Sequence, residues 1–461
     1  MAMGIDGLVS GLDTTSLINQ LMQVEAQPQT MLKNRVTSTQ TLVSALQSLN
    51  TRTSTLGSLA ANMATTGALD LYKASSSDPG VSVTAAAGAS AGNIDLSVGQ
   101  TAQRQVTVSA QLTAWPASPA ALTVVGADGT STEITAASTS LDDVVTAVNA
   151  AGAGVTAMKV AAGTDASGVA QYRLQFSSAE TGLSGAFTIY QGTQADVAAG
   201  TATDLATAPG AATIQGARDA SVTLWAGTAA EQTITSSSNT FTDLFPGVSV
   251  TVSAPTTTPA TLTIAKDAGA ISDKANSLVG SINDLLGYIS NQTATNSSTD
   301  PTTGRAIVTG GVLSGQSVVR DVSQSIISAA SLPVNGHSPS EFGISVNESG
   351  TFDFDSAKFQ SALAKDPAGT QSMLQSLAQR IADAAKVGSD KDTGTITTTI
   401  TGQQTLITSY NSQIADWDTR LADRRASLNQ TYANLEVNLS NLQSQSSWLT
   451  GQLASLPTTS A

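Results

Sequence analysis

The chain has 461 residues, a formal net charge of −14 at pH 7, one histidine and no cysteine. That length exceeds what one hydrophobic core usually supports, so several domains are expected. The acidity and the scarcity of Lys and Arg exclude a nucleic-acid backbone as ligand, and the lack of Cys excludes disulfides, thiolate metal sites and a cysteine nucleophile.

Only 12% of the residues are charged and 4% aromatic. Small side chains bury little area each, so strand ladders, many modest contacts and association between copies must supply the stability. Residues 1–7 have no basic region followed by an apolar one, and no later stretch approaches the roughly 20 apolar residues of a membrane span. No membrane insertion is expected, and export, if it occurs, does not use an ordinary cleaved signal.

Asp13 is placed to cap a helix that begins at Thr14. Leu17, Leu21, Val24, Pro28, Met31, Arg35, Ser38 and Leu42 then follow a 4,3 spacing that puts them on one face. Pro28 should break or kink this helix. Leu46, Leu49, Thr53, Leu56, Ala60 and Met63 continue out of phase with the first stripe, a local change of supercoil.

The middle of the chain reads as strand. Runs at 81–84, 93–98, 105–108, 122–125, 172–176, 187–190, 221–225, 248–252 and 261–264 alternate β-branched and small polar residues between Gly, Pro and Asn. Such runs describe antiparallel sheets with one face buried. One amphipathic helix, 141–149, interrupts them and is stopped by Gly152 and Gly154; it should lie across its own small sheet.

Helical patterning returns after Lys266, with Leu278, Ile282, Leu285 and Leu286, then Val318, Val322, Ile326 and Ile327, then Phe359, Leu363, Met373, Leu374, Leu377 and Ile381. Residues 293–305 read as a polar, Pro-containing loop. At the end, Ile407, Ile414, Leu421, Leu428, Leu435, Leu442, Leu449 and Leu456 recur every seven residues. Tyr410 and Trp417 flank this seam at +3 before Arg424-Arg425; Tyr432, Leu439, Ser446 and Leu453 flank it at +4 afterwards. The stripe therefore shifts sideways at the Arg pair, which predicts two differently facing contacts.

A single exposed stripe cannot offset the backbone entropy of an isolated helix, roughly 1 to 2 kcal/mol per residue. The two ends therefore need partners: each other in an antiparallel pair, or each other and further copies. Contacts with copies or with a filament are expected at Leu17, Leu21, Val24, Leu42, Leu46, Leu49 and Leu56, and at Ile407, Ile414, Trp417, Leu421, Leu428, Leu435, Leu442, Leu449 and Leu456.

Chemistry is hard to place on this sequence. His337 lies in a turn-like Asn-Gly-His-Ser-Pro stretch without a nucleophile elbow nearby. Asp353 and Asp355 read as a hairpin edge and a helix N-cap rather than a catalytic carboxylate pair. Asp390-Lys391-Asp392-Thr393-Gly394 lacks the third acidic position and the closing Glu of a calcium loop and reads as a polar hinge. No catalytic residue, cofactor or metal site is expected.

Four stretches resemble the flagellar hook-associated type 2, or filament cap, family. Gly7-Leu8-Val9-Ser10-Gly11-Leu12-Asp13, running into Leu17-Ile18-Asn19-Gln20-Leu21-Met22 with Glu25 and Pro28, is similar to that family's opening. Residues 220–224, 234–241 and 244–250 resemble its strand, Asn-led turn and Pro-Gly-Val strand, and Ser178-Ala179-Glu180-Thr181-Gly182 fits the same region. Residues 311–320, Phe342-Gly343-Ile344 with 350–355, and Trp448-Leu449-Thr450-Gly451-Gln452-Leu453 resemble its C-terminal half. Gln316 stands where an Asp is common, and basic residues are missing near 431–435.

The resemblance implies a multidomain α+β chain, with N- and C-terminal helices forming a coiled-coil or helical-bundle leg and central antiparallel β-rich head domains. The expected segments are 1–44 and 401–461 (coiled-coil ends), 45–72 and 267–400 (leg), 73–112 and 216–266 (β head) and 113–215 (inserted distal α+β head). It also implies secretion through the flagellar type III export apparatus with its chaperone, and an extracellular ring of about four to six copies at the filament tip. There the ring would guide flagellin into the growing end and keep it from leaking away. The rival readings are another axial component, such as a junction protein or flagellin itself, and a tip adhesin that binds glycans through Trp115, Tyr172 and Tyr190.

Overall fold

The computed structural model describes Gly11 and residues 13–454. Helix α1 (Thr14–Glu25) starts at Asp13, whose carboxylate accepts the Ser16 N–H at 2.8 Å. It stops at Ala26, and α2 (Gln27–Ala64) begins with Pro28 in its first turn. Proline breaks the helix and is tolerated there because first-turn amides lack an intrahelical acceptor.

The middle of the chain forms β1 (Tyr72–Ser76), β2 (Val81–Ala85), β3 (Gly92–Gln100), β4 (Val106–Val108), β5 (Ala121–Gly126), β6 (Ser131–Thr135), α3 (Leu141–Ala151), β7 (Val155–Thr164), β8 (Ala170–Ser178), β9 (Phe187–Gln191), α4 (Gln194–Ala199), β10 (Thr203–Asp204), β11 (Ala212–Gln215), β12 (Ala220–Leu224), β13 (Gln232–Ser236), β14 (Thr240–Phe245), β15 (Val248–Val252) and β16 (Ala260–Lys266). All strand pairs among them are antiparallel. The chain continues through α5 (Ala268–Thr293), β17 (Thr295–Thr299), β18 (Ala306–Gly310), α6 (Ser317–Ser331), β19 (Ile344–Val346), β20 (Phe352–Phe354), α7 (Ser356–Lys365), α8 (Pro367–Ser389) and α9 (Thr395–Ala454).

Two compact units result: a helical unit of residues 1–65 and 272–461, and a β-rich unit of residues 66–271. The β-rich unit has two cores. In the first, the sheet β1-β16-β3-β12-β13 faces the sheet β14-β15-β2. Every second residue points inward: Ala220, Val222 and Leu224 on β12, Val248, Val250 and Val252 on β15, Ala260, Leu262 and Ile264 on β16. In the second, sheets β10-β9-β5-β6 and β11-β4-β8-β7 join α3. Leu141, Val144 and Val148 of α3 pack with Leu122, Leu174 and Phe176, and Gly152 ends the helix in a left-handed conformation.

A polar joint links these two cores. Backbone pairs tie Gln103 to Arg218 where the chain passes from one core to the other; on the first-core side the Asn239 side chain holds Ala102, accepting its N–H at 2.6 Å and donating to its carbonyl at 3.2 Å. The Leu183 N–H reaches Asp219 Oδ1 at 2.7 Å, and the Thr181 hydroxyl donates to the Ser237 carbonyl at 2.8 Å. Gly182, at φ +84°, lies so close to Ser237 that a Cβ would sit 2.4 Å from its Cα.

In the helical unit, α2 packs against α8 and α9. Leu46, Leu49, Thr53, Leu56, Ala60 and Met63 of α2 are buried, as expected from their spacing, together with Leu374, Leu377, Ile381 and Ala385 of α8. Gly57 allows close approach, since a Cβ there would be 3.1 Å from Ala385 Cβ. Tyr288 of α5 donates its hydroxyl to the Ala45 carbonyl at 2.9 Å, and Arg52 pairs with Asp284 while lying over the Tyr288 ring. Arg380 closes the end of α6 by donating to the carbonyls of Ala329, Leu332 and Pro333.

Three expectations need correcting. Residues 293–305 are a loop only over 300–305: Thr293 ends α5, and β17 and β18 pair as a hairpin, turned at Asp300, whose side chain accepts the N–H groups of Thr302 and Thr303. Its Thr and Ser residues are all exposed, so the run carries no hydrophobic alternation to betray it. The strand placed at 221–225 ends at Leu224; Trp225 has φ 52° and starts a turn closed by the Thr228 N–H. The inner face of α1 and of the first half of α2 lies one residue beyond the expected stripe. Ile18, Met22, Gln29, Leu32 and Val43 are buried, Leu42 is half-buried, and Leu17, Leu21 and Val24 are exposed.

Leu49→Ala should cost about 2–5 kcal/mol because it opens a cavity in a fully buried seam; denaturant unfolding followed by helix content checks this. Gly182→Ala should loosen the joint, because it adds both a positive-φ penalty and a clash with Ser237. Faster hydrogen exchange at the Ala102 and Leu183 amides, with the amides of β15 unchanged, is the expected reading.

Candidate assembly surface

The terminal helices run antiparallel. Asn19 Oδ1 accepts from Arg425 Nη2 at 2.9 Å, Glu25 Oε1 accepts from Arg424 Nε at 2.8 Å, and Asp418 Oδ1 accepts from Gln29 Nε2 at 2.5 Å. Numbers rise on one helix as they fall on the other. The Arg424–Glu25 pair is solvent-exposed, so it contributes at most about 1 kcal/mol and fixes register more than it stabilises.

On α9, Ile396 and Ile400 are buried, and Ile407, Tyr410, Ile414, Trp417 and Leu421 are half-buried. Beyond Arg424-Arg425 the half-buried apolar positions are Leu428, Tyr432 and Leu439. Leu435, Leu442 and Leu449 are exposed, and so are Val437, Trp448 and Leu453. Leu456 lies outside the described residues, as do most of the Gly-Leu-Val-Ser-Gly-Leu-Asp positions. From residue 441 to 453 every side chain is exposed. At 1.5 Å per residue the 60-residue helix α9 is about 90 Å long.

Leu17 and Ile18, Leu21 and Met22, Met31 and Leu32, and Leu42 and Val43 are adjacent apolar pairs. Neighbours on a helix are about 100° apart, so the first helices carry two parallel stripes. The stripe at Ile18, Met22, Leu32 and Val43 is used within the chain. At Leu17, Leu21, Val24 and Met31 the other stripe is exposed, Val24 by 68%. Sequence reasoning followed the outer stripe and missed the inner one; the adjacent pairs were the available signal.

The connection into α9 is held by Asp390. Its carboxylate accepts the N–H groups of Asp392 and Thr393 and the Thr393 hydroxyl, and these bonds pull its pKa down to about 2. The stretch resembling a calcium loop is thus a turn bonded within itself. His337 sits in the turn after α6 with Nδ1 3.0 Å from Glu341 Oε2, and that hydrogen bond lowers the Glu341 pKa. Asp355 caps α7 by accepting the Lys358 N–H. Among the described residues no group of three His, Cys, Asp or Glu side chains has metal-site geometry, and no helix is long and apolar enough to cross a membrane. The glycan platform expected at Trp115 is absent: Trp115 is buried in the second core and donates Nε1–H to Ala121, and Lys159 covers the Tyr172 ring.

A carboxyl whose folded pKa lies below its ordinary 3.8 adds stability above that value, which is lost as pH falls through about 2. Asp390→Ala should therefore lower the thermal midpoint of the helical unit at about pH 6 and lower it much less near pH 2, where the native carboxyl is about half protonated. Melting curves at both pH values check this.

Residues 10–105 match the family of the flagellar hook-associated protein 2 N-terminus, and residues 217–444 that of its C-terminus. Flagellar hook-associated protein 2 of Escherichia coli O157:H7 is 32% identical over 191 residues, 40% of this chain and 39% of that protein. That of Campylobacter jejuni is 30% identical over 158 residues, 31% of this chain and 23% of that protein. The chain thus aligns with well under two thirds of either relative. The crystal structure of the D1-D2-D3 domains of the flagellar cap protein from Escherichia coli shares the fold, with a TM-score of 0.58 at 23% identity over 78% of this chain and 99% of that one. With both ends of one family's pattern matched in order and the multidomain α+β architecture in place, the chain belongs to the flagellar hook-associated protein 2 family.

Proposed function

We propose that this chain is a structural cap at the distal tip of the bacterial flagellar filament, where it promotes polymerisation of exported flagellin, prevents its leakage and is required for elongation. The observation that carries this reading, beside family membership, is the apolar surface left open on the terminal helices at Leu17, Leu21, Val24, Leu442, Trp448, Leu449 and Leu453. A helix stretch with one exposed apolar stripe does not hold by itself in water and is stabilised when other chains cover it. Copies of the chain, in a ring of about four to six, and flagellin subunits are the partners that cover it. The cap is exported by the flagellar type III apparatus with its chaperone and works outside the cell.

The joints favour a cap that lets go and re-engages. The register-setting contacts Arg424–Glu25 and Arg425–Asn19 are polar and exposed, so each contributes little and exchanges readily. No side chain in this reading does chemistry, and His337 is occupied by Glu341.

In the bacterium that encodes the chain, deleting its gene should shorten or abolish filaments and release soluble flagellin into the medium. The full chain supplied in trans should restore filaments seen by electron microscopy, and a chain ending at Thr401 should not. Soluble flagellin and bald cells despite export of the full chain would overturn the reading, as would long homopolymers formed by the purified chain itself.

A further inference from the structure

The two β cores present different faces to water. On the larger sheet of the first core the outward residues are polar, among them Asp95, Thr223, Thr233, Thr261 and Thr263. The sheet β11-β4-β8-β7 of the second core buries the row Ala157, Phe176 and Thr107 on its inner side, so the rows on either side of it point outward. Those rows hold Met158, Val108 and Val106, with Val160 beyond Met158 and Ile214 standing out from a bulge in β11. Met158, Val160 and Ile214 are exposed, and the two valines of β4 are half-buried. A sheet face that meets water is ordinarily polar, as in the first core, and an apolar one marks an interaction surface.

None of the four strands carries an Asp or Glu. Lys159 lies on the inner side beside Leu174 and pairs with Asp142, and Arg173 donates to the Ser109 and Gly210 carbonyls. The strands thus offer no free charge to an ionic partner. They also let two chains, each of formal net charge −14, meet without facing carboxylates on these strands.

The strand register says what fits. One outward row reads Met158, Gln175, Val108, Ala212 across the four strands, and the next reads Thr156, Ser177, Val106, Gln215, with Ile214 beside the last. A second copy, turned over about an axis parallel to the strands, lays each row on its own reverse. Met158 then meets Ala212 of the second copy, Ile214 meets Thr156 and Val106 meets Ser177, a larger side chain on a smaller one each time. We infer that this face pairs with the same face of a second copy in a two-fold, sheet-on-sheet contact. Four strands about 4.8 Å apart and three outward residues deep give about 400 Å² per copy, against the roughly 800 Å² of a standard interface. The pair is therefore weak and forms where copies are concentrated. Neighbours around a ring are related by rotation about the ring axis, so this contact joins chains two by two and is independent of the ring.

The chain has no cysteine, so introduced cysteines report the contact alone. Full-length Met158→Cys and Ala212→Cys, both at exposed positions, are mixed at matched concentration and treated with a short bismaleimide. The mixture should give severalfold more cross-linked dimer than either variant by itself, because the two-fold offsets like positions sideways by about 14 Å. Adding Ile214→Asp to both variants should cut the yield about tenfold, since each carboxylate is then desolvated against the second copy. Equal yields from the mixture and the single variants would overturn the pairing. So would a yield no greater than that of Ala212→Cys mixed with Thr223→Cys, or one untouched by Ile214→Asp in a chain whose thermal midpoint is unchanged.

Discussion

The rest of the structure depends on the contact between α2 and α8. These helices come from opposite ends of the chain, so their packing makes a single helical unit from residues 1–65 and 272–461. A chain this poor in aromatics cannot fill a core with large rings, and it brings backbones close instead. Gly57 faces Ala385, and a Cβ on Gly388 would lie 3.2 Å from Val322 and 3.5 Å from Thr53. Close approach multiplies weak dispersion contacts, which is how small side chains reach native packing density. The β-rich unit of residues 66–271 is then an insertion into the helical one.

Past that core the chain changes its economy of contacts. Along α1 and the part of α9 beside it one stripe is shared between the helices and the other faces water, polar pairs such as Arg425–Asn19 fix the register, and from residue 441 to 453 α9 is exposed on every side. Such a pair of helices has a defined alignment and an incomplete core. A firm base with weakly held, sticky ends is what the proposed role would call for, since a cap has to stay assembled while its contacts change. The strong packing lies where nothing needs to move.

Much of this was legible in the sequence, and the misses have physical causes. The period-2 strands of the first core, such as Val248–Val252, and the Gly152 stop of α3 follow from local pattern alone. So do the buried positions of α2 from Leu46 onward, where Leu46, Leu49 and Leu56 each stand without a large apolar neighbour. Before Leu46 adjacent apolar pairs supply two equally good stripes, and only the position of α9 decides between Leu17 and Ile18. The hairpin at 295–310 is exposed on every strand residue and so has no alternation to read. The joint between the two β cores rests on Thr181 reaching the Ser237 carbonyl across 56 positions, and sequence order holds no trace of such a meeting. Yet the Ser-Ala-Glu-Thr-Gly and Ser-Ser-Ser-Asn stretches that carry the family resemblance are the segments that meet there, at Gly182 and Ser237.

The second β core leaves the first at Gln103 and returns at Arg218, and these two residues are bonded to each other through their backbones. The two family matches stop at residue 105 and resume at residue 217, leaving out that same stretch. Because the ends of the insert are pinned side by side, the rest of the fold sees the same two anchor points whatever lies between them, and lengthening a loop closed in this way adds little entropic cost. The second core is therefore a cassette: its length and content can change with little effect on the two points that hold it.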